Sequence, residues 1–138
     1  MTLVESAATV AHVVFAGLWT GAVVFTALFA GGLVNTASSS LTDLVVDRLR
    51  IVSRSSAVVT LLSGGYMAAG YSHTYFTSST SGWLISAMVA LWLVLIVTVE
   101  IGASRVLDGH GQGKTFLGIA GLTALLLLLD VGLLMAGI

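Results

Sequence analysis

Three ionisable side chains stand inside long apolar runs of this sequence: His12, Glu100 and Asp130. An ionisable group within membrane-type sequence is costly, so each raises a functional question by default. His12 and Asp130 offer the pairing of an imidazole with a carboxylate that often orients a metal ligand. Softer donors accompany them, since Met67, Met88 and His73 fall toward the same ends of their segments. Thioethers with imidazoles suit copper, above all Cu(I), and the chain has no cysteine to compete. The same histidines suit axial ligation of a haem between helices. Counted at ~1.5 Å per residue, His12 and Asp130 both fall roughly 9–14 Å below one surface, so they are expected to be level. In that arrangement Asp130 orients His12. Met135 lies at about 140° from Asp130 around one helix and cannot share its face. Two bland accounts compete: methionine fills gaps in cores, and His12 with Asp130 can form a hydrogen bond that serves packing alone.

The elements that must position these groups are helices. The chain is 57% hydrophobic and 8% charged, which excludes an ordinary soluble domain. A spanning helix needs roughly 20 mostly apolar residues. The sequence predicts four, over about residues 3–34, 41–72, 82–106 and 114–138, forming a single domain over 1–138. All five Lys and Arg residues lie in two segments, 36–54 and 105–114, whereas residues 71–83 carry no Asp, Glu, Lys or Arg. Short loops rich in Arg and Lys stay cytoplasmic. The fold class is therefore all-α: an antiparallel four-helix transmembrane bundle of the cell membrane, with N and C termini outside. The first stretch lacks a basic n-region and is too long for a cleavable signal. The lipid bilayer is the expected partner, and no basic patch outside the cytoplasmic loops suggests nucleic acid.

Local signals refine the picture. Thr2-Leu-Val-Glu5 is a capping box that starts the first helix, and Ser40-Leu-Thr-Asp43 is a second capping signature. After it, Leu41, Leu44, Val45, Leu49 and Val52 recur at helical spacing, with Asp43, Asp47, Arg48 and Arg50 on the other face. Ser56, Thr60, Ser63 and Met67 form a stripe that should face the bundle interior, whether bonded to its own helix or lining a polar path. Tyr66, Tyr71, Tyr75, Phe76 and Trp83 surround the Ser/Thr-rich connection 72–81 as an aromatic belt. Glu100 falls at the level of Arg54, which predicts a structural ion pair. Gly17 with Gly21, Gly118 with Gly121 and Gly64-Gly65 allow close helix approach, within the bundle or in a homo-oligomer. Nothing resembles a nucleophile–base constellation, a phosphate loop or paired catalytic carboxylates, so the reading leans away from an enzyme.

Three segments resemble the copper-resistance protein D family, whose relatives include the four-helix protoporphyrinogen oxidase of bacteria. They are Ala11-His12-Val-Val-Phe-Ala-Gly-Leu-Trp19-Thr-Gly21, Asp47-Arg48-Leu-Arg50-Ile-Val-Ser-Arg54 and Ser81-Gly82-Trp83-Leu84. The resemblance implies copper handling or haem binding and transfers one candidate ligand, His12, followed by Trp19. Relatives carry a Lys shortly after the glycine of the third segment, where this chain has Ile85, Ser86, Ala87 and Met88. That departure counts against the oxidase branch.

Three readings stand side by side. In the first, a small membrane protein binds or passes copper, or binds haem, near the outer face, through His12 with Met67, Met88 and His73 as helpers and Asp130 and Trp19 in support. In the second, a haem-b redox enzyme takes electrons from quinol or porphyrinogen. In the third, a ligand-free accessory subunit packs into a larger membrane complex.

Overall fold

The structure, a computed structural model, describes residues 2–36 and 38–137. It comprises α1 (Leu3–Thr36), α2 (Ser39–Ala68), the short α3 (His73–Ser78), α4 (Thr80–Leu107) and α5 (Gly113–Ala136), with no strand among the described residues. Ala37 in the first connection and Ile138, the expected end of the last helix, lie outside them. The long helices form a ring in which α1 packs on α2 and α5, and α4 packs on α2 and α5. The start of α1 and the end of α5 fall at one end of the ring, called here the termini end. The α1–α2 and α4–α5 connections fall at the other, the basic end, where Arg48, Arg50 and Arg54 of α2, Arg105 of α4 and Lys114 of α5 lie in the adjoining helix segments. Three helices, α1 over Leu3–Gly32, α4 and α5, are long and apolar enough to cross a membrane.

The first helix starts where its capping box stands. Thr2 N–H donates to Glu5 Oε2 at 2.7 Å, and Glu5 N–H donates to Thr2 Oγ1 at 3.3 Å, so two otherwise orphaned amides are satisfied reciprocally. At α2 the cap is Ser38 and not Ser40: its Oγ accepts from Leu41 N–H, and Ser40 Oγ bonds to Ser38 Oγ instead. The Ser/Thr-rich connection 72–81 contains α3. Tyr71 stacks on Tyr75 with ring centroids 4.5 Å apart, and Ser79 then caps α4 by accepting from Gly82 N–H. Glycine is required at 82, because a Cβ there would lie 2.1 Å from the Tyr75 carbonyl oxygen.

The face that α2 buries consists of Thr42, Val46, Leu49, Ser53, Ser56, Ala57, Thr60 and Ser63. Leu41, Leu44, Ile51, Leu61 and Leu62 point outward. Apart from Val46 and Leu49 the inner face of α2 is small or hydroxylic, whereas large apolar side chains lie outside. At the centre, Trp19, Val23, Leu95, Val99, Ala120, Ala124 and Leu127 form the core. The glycines divide. Gly121 lies so close to Ala27 that a Cβ would come within 2.6 Å of the alanine Cβ, and Gly102 is tight against Leu117. Gly17, Gly21, Gly65 and Gly118 have no neighbour within 4 Å of a Cβ and do not serve packing inside the bundle.

Candidate functional site

The hydroxyls of α2 act as acceptors for ring N–H groups on its neighbours. Ser63 Oγ donates its proton to the Val59 carbonyl at 2.6 Å, as a serine in a helix commonly does. Its oxygen is then left to accept, and His12 Nδ1 on α1 stands 3.1 Å away. With the hydroxyl proton on Val59, Nδ1–H donates to Ser63 and Nε2 keeps its lone pair; in the other tautomer Ser63 Oγ donates to Nδ1. Thr60, one turn lower, repeats the pattern with α4. Its hydroxyl donates to the Ser56 carbonyl at 2.7 Å and accepts from Trp92 Nε1 at 3.1 Å.

Gly64 makes room for the imidazole. A Cβ at that position would sit 2.9 Å from His12 Cε1 and 3.3 Å from Nδ1. The side chain of His12 is therefore held between a hydrogen bond and a wall of bare backbone, half-buried. One turn toward the termini end, Thr9 Oγ1 lies 3.5 Å from Met67 Sδ while its hydroxyl reaches the Glu5 carbonyl at 2.9 Å. Thr9 is three residues before His12 and Met67 four after Ser63, so these contacts are adjacent rungs of one α1–α2 seam. Beyond them opens a cleft of about 660 Å³ lined by Glu5, Thr9, Tyr66, Met67, Gly70 and Tyr71.

The four expected metal donors are not assembled. Met67 joins His12 on the seam. Met88 instead packs, like Trp92, against the central cluster that contains Trp19. His73 is exposed at the start of α3. No group of three or more His, Asp and Glu that could hold a metal exists among the described residues. Met135 is exposed, on the opposite side of α5 from buried Asp130.

Nor does Asp130 orient His12, because no hydrogen bond joins them. The reason is register. Gly121 meets Ala27, so with antiparallel helices Ala136 is abreast of His12, and Asp130 sits ~9 Å nearer the basic end. The expectation of equal height assumed that α1 and α5 end in one plane. In fact α1 overhangs α5 by ~14 Å at the termini end. Asp130 is 7% exposed and its Oδ2 has no hydrogen-bond partner. Trp19, 2% exposed, packs edge-on against Trp92 at 6.2 Å and also leaves its Nε1 without an acceptor. Sequence reasoning missed this indole pair. The i, i+7 spacing of His12 and Trp19 was the available signal for Trp19; nothing marked Trp92.

At the basic end, the Arg54 guanidinium donates to both Glu100 oxygens, at 2.7 and 2.8 Å. Arg50 adds a longer contact of 3.7 Å and donates to Ser104 Oγ. Glu100 is thus shared by two guanidiniums and fully engaged, which leaves it no free oxygen for proton relay. Two α2 hydroxyls flanking Arg54, Ser53 and Ser56, are buried without hydrogen-bond partners.

Comparison with protein-family models, with characterised proteins and with solved structures yields no match. The functional reading therefore rests on the residues themselves.

Proposed function

We propose that this chain is a four-helix integral membrane protein that holds a copper(I) ion on His12 near the outer face of the cell membrane. In this reading α2 is the fourth span. Its charges, Asp43, Asp47, Arg48, Arg50 and Arg54, occupy the basic end, and its remaining length is matched to α1 by the contacts from Thr9 to Met67. The basic end, with its Arg- and Lys-bearing helix segments, lies in the cytoplasm and both termini lie outside.

The observation that carries the reading is how the imidazole is held. A ligating histidine commonly donates its other ring N–H to an oxygen, which fixes tautomer and orientation. In this reading Ser63 provides that oxygen by accepting from Nδ1–H, and Nε2 serves as the donor atom. Met67, one turn away on the same seam, supplies a thioether, so an imidazole–thioether pair suits Cu(I). Bound there, the ion would be carried by the chain as cargo. Haem iron is the competing guest for the same nitrogen.

Titration of the purified, detergent-solubilised protein with Cu(I) against a chromophoric chelator tests this. One ion per chain, lost in His12→Ala and weakened in Met67→Leu, is the expected result. A Soret band that vanishes in His12→Ala would replace copper with haem. Binding indifferent to His12→Ala would overturn the reading.

A further inference from the structure

We propose that Asp130 is an exchangeable proton-binding carboxyl inside the membrane-spanning bundle, a site separate from His12. Asp130 lies on α5, which is long and apolar enough to cross a membrane, and on the face that also buries Leu117, Ala120, Ala124 and Leu127. Its Oδ2 is enclosed and accepts no hydrogen bond. A carboxylate removed from water needs a cation or several donors to stay ionised; otherwise it takes up a proton. Among the described residues no ion pair includes Asp130 and its Oδ2 has no donor.

The groups on every helix packed against α5 bear this out. On α1, Glu5 stands on the overhang beyond the end of α5. His12 is ~9 Å farther toward the termini end, with its Nδ1 engaged by Ser63. On α4, the contacts of Gly102 with Leu117 and of Val106 with Gly113 set the register. They put Asp130 abreast of Val89, and Glu100 ~16 Å away toward the basic end, bound to Arg54. Arg105 is farther still and is hydrogen-bonded to Gln112. On α5 itself Lys114 is at the opposite end. Among the described residues of α1 and α4 only neutral polar groups share the level: the unpartnered indole N–H of Trp19 is the nearest in register on α1. Such a donor can steady a carboxyl without neutralising a charge. A membrane-embedded carboxyl without a counter-ion is what proton-carrying membrane proteins require, because the proton itself is its counter-charge.

The test uses the intact wild-type protein in detergent. Dicyclohexylcarbodiimide, an apolar reagent selective for protonated carboxyls, is applied across a pH series and the adduct located by peptide mass spectrometry. The expected result is modification at Asp130 and not at Glu100, falling about tenfold per pH unit above the site's midpoint. Infrared spectroscopy gives a second reading: a protonated-carboxyl C=O band, titrating with pH and absent in Asp130→Asn. Absence of both adduct and band at every pH would overturn the proposal by showing an ionised carboxylate. A signal constant from acid to alkaline pH would overturn it by showing a proton that does not exchange. Neither readout depends on copper, so this site can fail while His12 stands, and the reverse.

Discussion

At the scale of single residues, the decisive feature is that a serine already bonded to its own helix presents its oxygen to a histidine. Ser63→Ala removes that acceptor and frees the imidazole to turn. Loss of such an outer partner costs a metal site about 10–100-fold in affinity. We expect the Cu(I) affinity of Ser63→Ala to fall by about tenfold at the low end of that range, with the thermal midpoint nearly unchanged. Unchanged affinity in the chelator competition would mean that the bond serves packing only. The glycines beside it give a paired test. Gly64→Ala puts a methyl 2.9 Å from the ring, whereas Gly65→Ala meets nothing within 4 Å. The first should abolish ordered binding and the second should leave it intact. The identity of His12 as the candidate was legible, since an imidazole at that depth in an apolar segment demands a reason. Its partner was not. Ser63 looked like one hydroxyl among several, and depth counted from helix ends could not reveal that α1 overhangs α5.

At the scale of elements, the elbow between α3 and α4 depends on Gly82, whose position leaves no space for a side chain against the Tyr75–Phe76 backbone. Backbone atoms cannot swing aside as a side chain would, so Gly82→Ala should destabilise the fold by about 1–3 kcal/mol, the usual cost of overpacking. Gly70→Ala, which meets open space, is the control. Thermal unfolding in detergent reads both. The ion pair at the basic end makes a different prediction: Glu100→Ala should lower the midpoint more than Arg54→Ala, because Arg50 and Arg54 both lean on Glu100 whereas Glu100 keeps Arg50 when Arg54 is removed. Helices α1, α4 and α5 could be read from apolar run lengths, and the start of α1 from Thr2 and Glu5. The short α3 could not, because its six residues carry no periodic signal and its turn is fixed by aromatic stacking and by contact with Gly82. The outward turn of Leu41 and Leu44 was equally hidden, since helical spacing reports a face without saying which side is the inside.

For the whole molecule, sidedness is the claim most open to direct test, and the absence of cysteine makes it convenient. Ser78→Cys on α3 and Gln112→Cys at the start of α5 occupy opposite ends of the ring. In intact cells a membrane-impermeant maleimide should modify the first and spare the second until the membrane is broken. Reversed labelling would invert the orientation and move His12 to the cytoplasmic half.

The perpendicular indoles at the centre give the molecule an optical gauge of its own. Of three tryptophans, Trp19 and Trp92 are locked edge to face, while Trp83 is 63% exposed at the start of α4. Brominated lipid should therefore quench the emission of Trp83 and leave the inner pair dark to it. Coupling between the inner transitions should give a near-ultraviolet circular dichroism signal that collapses as soon as α1 and α4 part. A porphyrin lodged near them would extinguish their fluorescence by energy transfer, so the unmodified protein carries a reporter that separates haem from copper without a single substitution.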